Sequence, residues 1–144
     1  MAMYAIAVTP LIHRLKFVAT KQVWFADDAT AGGKLINLRE WWDCLTNIGP
    51  DYGYFPNASK TWLIVKEGYK NEAASLFEGT QVAITEEGKK YLGSAIGKQT
   101  FIESYVQQKV ATWIDELERL SSIAITQPHA AFAAFTHGLT SRWT

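Results

Sequence analysis

At 144 residues, with 48% hydrophobic and 19% charged side chains, the chain has the make-up of a folded globular protein and not of a disordered one; by length alone it is most simply one domain, able to bury roughly 70% of its unfolded surface. The formal charge is zero and the pI about 6.8, which argues against a dedicated nucleic-acid coat, since binding a polyanion selects a strong basic excess. A single cysteine, Cys44, excludes an intrachain disulfide and a Cys-rich zinc site.

The opening stretch MAMYAIAVTPLI is apolar, but no positive charge precedes it, no clear cleavage site follows, and it is too short to span a bilayer. We therefore expect a reducing, intracellular setting, cytoplasm or nucleus, and no membrane partner. Residues 2–17 are predicted helical, with Tyr4, Ala7, Leu11, Ile12 and Leu15 at spacings of three and four; Pro10 should kink or restart the helix, with Thr9 as cap. Residues 21–25 and 28–31 read as two short strands joined at Asp27 and Asp28. Leu35, Leu38, Trp41, Trp42, Leu45 and Ile48 make 35–48 an amphipathic helix, stopped by Gly49 and Pro50. A strand KTWLIVK over 60–66, a helix over 69–78 ended by Gly79, and strands over 82–85 and 90–96 follow. A long helix is predicted over 99–121, with Phe101, Tyr105, Val106, Val110, Trp113, Leu117 and Leu120 as its apolar stripe, and a last helix over 128–138 capped by Gly138.

The acidic pair at the end of QVWFADDATAGG stands out. A hairpin turn with two carboxylates projects hard oxygen ligands from a rigid edge, and Mg²⁺ demands near-ideal octahedral geometry. Two metals about 3.5–4 Å apart can hold the attacking and leaving oxygens of a phosphoryl transfer. A bare Asp-Asp turn is by itself a weak signal, explained first by the local hydrogen bonds that favour Asp in turns.

The order of segments adds context. FADD, an amphipathic helix, GYFPNASKTWLIV (53–65) and YLG (91–93) together resemble the palm of a reverse transcriptase, in the style of non-LTR, LINE-type retroelements that carry FADD where others carry YxDD. Phe25, Ala26, Asp27 and Asp28 resemble motif C. The helix at 35–48 with Asn57, Lys60 and Thr61 resembles motif D. Tyr91, Leu92 and Gly93 resemble motif E, the primer grip, and the long helix after them resembles the start of the thumb. The resemblance covers residues 1 to about 97 well and 98–144 loosely. It implies an α+β fold: a partial ferredoxin-like palm over 1–97, followed by a helical thumb-like or connecting segment over 98–144. It also implies roles. Asp27 and Asp28 would be the catalytic metal ligands, for Mg²⁺ or Mn²⁺. Phe25 would pack at the primer end and the floor of the nucleotide site. Lys60 would lie near the triphosphate as an acid for the leaving pyrophosphate, whose developing negative charge gains from a positioned proton donor. Tyr91, Leu92 and Gly93 would grip the primer. The implied partners are an RNA template, a DNA primer and a deoxynucleoside triphosphate.

The family's motif A aspartate, its motif B glycine and its fingers have no counterpart in this sequence, and AMYAIAVTPLIHRLK resembles the stretch directly after motif B. Asp43, Asp51 and Glu40 lie on or after the motif D-like helix and do not replace the missing aspartate. We therefore expect a C-terminal polymerase fragment, inactive alone, that binds metal weakly. The alternative is a non-catalytic relic that acts, if at all, as a nucleic-acid- or protein-binding module. Without the motif A strand, the hairpin and the strand at 60–66 lose a neighbour. An open edge at TWLIV then invites self-association, because unpaired strand groups template another strand.

Other candidates carry less. His13, His129 and His137 share no metal-ligand spacing, Gly32-Gly33 lacks the Lys and Ser/Thr of a phosphate loop, and Cys44 reads as an inert, buried thiol beside Trp42. The Trp and Phe residues over 101–135 read as core and not as base-stacking platforms.

Overall fold

The structure, a computed structural model, describes residues 2–16 and 20–142. The chain is mixed α and β, rich in helix with small sheets, and it divides into two compact units, Met1–Glu87 and Gly88–Thr144. Among the described residues no helix is long and apolar enough to cross a membrane.

The first unit opens with α1 (Ala2–Leu15). The predicted end at Phe17 lies outside the described residues. Val8, Leu11 and Leu15 are the buried face, whereas Tyr4 and Ala7 of the predicted stripe are exposed. The helix runs through Pro10 without restarting. Thr9 is no cap, since its hydroxyl donates to the Ala5 carbonyl one turn back at 2.7 Å. Ile6 and Pro10 are both exposed, so the carbonyl that proline leaves without a donor can turn to water.

Strands β1 (Lys21–Phe25) and β2 (Asp28–Gly32) form an antiparallel hairpin with Phe25 opposite Asp28. Gln22 and Trp24 face inward, while Lys21, Val23 and Phe25 face out. Helix α2 (Leu35–Ile48) follows, with Trp41, Trp42 and Leu45 buried. α2 ends directly before Gly49 and Pro50, as expected; Gly49 is right-handed, the chain continues as a 3-10 turn over Gly49–Tyr52, and the left-handed residue that ends that turn is Gly53 at φ 72°. Gly49 is also required for packing, because a Cβ there would lie 2.7 Å from the Tyr54 carbonyl oxygen.

The strand predicted over 60–66 shortens to β3 (Trp62–Ile64), preceded by a 3-10 turn over Ala58–Lys60. It pairs in parallel with β4 (Ala83–Thr85) across α3 (Lys70–Leu76). Arg39 of α2 ties α3 down. Its guanidinium donates to the Leu76 carbonyl, which a helix C-terminus leaves unpaired, and to the Glu78 carbonyl just beyond it, while its Nε holds Asp43 at 2.8 Å. The core joins Leu11, Leu15, Trp41, Trp42, Leu45, Leu63, Val65, Ala73, Phe77 and Val82. Each fully buried leucine contributes about 1.5–3 kcal/mol. Among the described residues the sheets remain two-stranded, and none joins the β1–β2 hairpin to β3–β4.

In the second unit the single strand predicted over 90–96 is instead a hairpin, β5 (Gly88–Tyr91) and β6 (Ser94–Gly97). The physical reason is the pair Leu92–Gly93, both at positive φ (46° and 79°), which is the backbone of a type I′ turn matched to strand twist. Gly88 packs where no side chain fits: a Cβ would meet the Ile96 carbonyl oxygen at 2.5 Å and the Phe101 ring at 2.7 Å. Helix α4 (Gln99–Thr126) runs longer than predicted and buries no residue completely. Val106 and Val110 of its predicted stripe are exposed. Helix α5 (Pro128–Ala134) ends early in a π-helical turn over Phe135–Leu139 that contains Gly138, so Gly138 is not its cap. Phe132 and Phe135, expected as core, are exposed.

Candidate functional site

Asp27 and Asp28 occupy the tip of the β1–β2 hairpin. Phe25 pairs with Asp28, so Ala26 and Asp27 are the two loop residues, and Ala26 sits at φ 53°. Positive φ at the first of two loop residues is the type II′ pattern, where glycine is the residue without a Cβ penalty. Both carboxylates are exposed to solvent, and Phe25 is 59% exposed on the outer face of the hairpin, so neither a closed pocket nor a ring-lined floor surrounds them in this unit.

The tip is held from below. The Tyr54 hydroxyl donates to the Asp27 carbonyl at 3.0 Å, and the Tyr54 ring meets the Trp24 ring edge-on, centroids 5.1 Å apart. Burial, then the charges of Tyr4, Asp28 and Asp27, push the Tyr54 phenol up to about 12, against a hydrogen bond at the Ala29 backbone that lowers it. Burial, then Asp27, raises the Tyr4 phenol as well. These two tyrosines are the residues that the sequence reading passed over. The only local signal is an aromatic directly after a turn glycine, in Gly53-Tyr54.

The other expected site residues belong to other elements. Lys60 is exposed at the end of a 3-10 turn, and no hydrogen bond or ion pair joins it to either carboxylate. In the second unit Tyr91 ends β5, and Leu92 and Gly93 are the β5–β6 turn. There the Tyr105 hydroxyl donates to the Gly93 carbonyl at 2.7 Å, and Lys90 and Lys109 lie over the Tyr105 ring at 5.3 and 5.8 Å. Asp43 is engaged by Arg39. His13, His129 and His137 are exposed. Cys44 is half-buried on α2; burial first and Glu40 second raise its thiol pKa, with Arg14 opposing. It lines an open groove of about 660 Å³ with Ile36, Arg39, Glu40, Asp43 and Asn47, which shares no residue with the acidic turn.

The donor set can be weighed against the ion it would take. Mg²⁺ is satisfied by six oxygens in an octahedron. The turn offers two carboxylates, and among the described residues no three His, Cys, Asp or Glu side chains gather. By themselves these residues do not make a complete metal centre. Comparison with family models, with curated proteins and with solved structures finds no match to this chain.

Proposed function

We propose that the chain carries part of a retroelement reverse transcriptase, with Asp27 and Asp28 as the motif C carboxylates of an RNA-directed DNA polymerase palm. The observation that carries the reading is a hairpin tip with Asp27 in its two-residue turn and Asp28 next to it at the start of β2, both in solvent. Lys60 belongs to the motif D-like segment and Tyr91, Leu92 and Gly93 to the primer-grip-like hairpin. An RNA template, a DNA primer and a deoxynucleoside triphosphate are the partners, in cytoplasm or nucleus. In this reading the pair is half of a Mg²⁺ or Mn²⁺ site, completed by a carboxylate from outside these residues, so the chain alone does not polymerise. Self-association through the edge of β3 belongs to the same reading, since a palm would place a further strand beside it.

Calorimetry with Mn²⁺ tests the site. Wild type should bind weakly, with Kd on the order of 10⁻³ M, because two carboxylates and water are a sparse cage. Asp27→Asn should abolish the binding. Primer extension on a poly(rA)/oligo(dT) template should be absent. Micromolar binding that survives Asp27→Asn puts the metal elsewhere and refutes the reading. Metal-dependent extension lost in Asp27→Ala refutes the incomplete site.

A further inference from the structure

We infer that the Tyr54 phenol is a latch on the acidic turn: by donating to the Asp27 carbonyl it holds Ala26–Asp28 in one backbone conformation and so fixes the direction of both carboxylates. Nothing local selects that conformation. Ala26 at φ 53° pays the Cβ penalty that glycine avoids. Strand β2 reads DATAG, whose Asp, Ala and Gly are poor β-formers, and a lone two-stranded hairpin is marginal in water. A strained turn persists when the structure around it over-determines it.

Tyr54 is placed to do this because its own position is set by other contacts. Its N–H donates to the Gly49 carbonyl at 3.0 Å, it follows left-handed Gly53, and the Cβ-free Gly49 lets its backbone close in. Its ring rests on Trp24, whose indole is bonded to Gln22. The phenol therefore connects the end of α2 to the tip of a hairpin 27 residues earlier. Packing alone does not need the hydroxyl; the ring would fill the same space without it. The latch needs neither metal nor nucleotide, and only its consequence for catalysis rests on the polymerase reading.

Tyr54→Phe, which keeps the ring and removes the hydroxyl, tests it by amide hydrogen exchange on the full chain. Exchange at Asp28 should rise about fivefold, the loss of one ordinary hydrogen bond, while Val23 and Thr30 in mid-hairpin and the Trp24 indole signal stay as in wild type. Adding Ala26→Gly should bring Asp28 back to within about twofold of wild type, because glycine holds the turn unaided. Unchanged exchange at Asp28 in Tyr54→Phe overturns the latch. So does an equal rise at Val23 and Thr30, which would make Tyr54 a general packing residue. A loosened tip in a protein that binds no Mn²⁺ sustains the latch and removes the polymerase reading.

Discussion

The Trp41 indole N–H donates to Gln22 Oε1 at 3.2 Å, joining two residues 19 positions apart. The same oxygen accepts the Trp24 indole at 3.1 Å, while Gln22 Nε2 donates to the Ile12 carbonyl at 3.0 Å. Indoles only donate, so the amide must turn its oxygen to them and its nitrogen to the carbonyl. One side chain thereby ties α1, β1 and α2 together beneath the hairpin.

Gln22→Leu should lower stability by about 2–3 kcal/mol, because it strands the buried Trp41 donor and the Ile12 acceptor. Gln22→Glu should cost less: a carboxylate still accepts both indoles and fails only at Ile12. Urea unfolding followed by tryptophan fluorescence measures both, and a Leu variant as stable as wild type would show that water replaces the amide.

Leu92 is the one residue of the β5–β6 turn whose type conflicts with its backbone. It is 50% exposed, so its side chain gains little from burial. Leu92→Asn creates Asn-Gly, the pair best suited to a type I′ turn, and should stabilise the second unit by about 1 kcal/mol. A rise in its thermal midpoint is the expected result; a fall would mean that the Leu92 side chain contributes packing that outweighs the strain.

Alkaline pH should weaken the first unit through Tyr54. Its folded pKa is raised to about 12 against an ordinary 10, so the unfolded chain loses its proton first. The contribution is fully present below pH 10 and is lost as pH rises from 10 toward 12. The test is the difference between wild type and Tyr54→Phe, which isolates this one phenol. The two stability curves should converge above pH 10; parallel curves would contradict the shift.

Side chains alternate along β3 and the residue after it: Leu63 and Val65 are buried, Trp62 is exposed and Ile64 half-buried. Leu63→Lys should unfold the first unit, since an unpaired ammonium in the core is too costly to keep charged. Ile64→Lys should leave the fold intact and reduce association, because a charge on an edge strand blocks strand addition. Sedimentation velocity over a concentration series reads both. Monomer at tens of micromolar in wild type, unchanged in Ile64→Lys, would show that the β3 edge does not associate.

Local pattern determined much of this protein. The apolar spacing from Leu35 to Ile48 marks α2 to the residue, and an acidic dipeptide between two short apolar or small-residue runs marks the first hairpin, because both signals lie within one element. Where two local rules compete, pattern failed. Pro10 reads as a break, yet α1 continues because the affected turn is exposed. Leu92-Gly93 reads as strand, because leucine seldom takes positive φ. Gly49 ends α2 as its type suggests, but no local rule shows that its missing Cβ also admits the Tyr54 backbone. The site divides in the same way. Asp27 and Asp28 were visible because they are adjacent in the sequence. The contacts around the hairpin, Tyr54 with Asp27 and Gln22 with Trp41, join residues 27 and 19 positions apart. No local periodicity encodes such pairs; they exist only once α2 and the turn after it have packed against the hairpin.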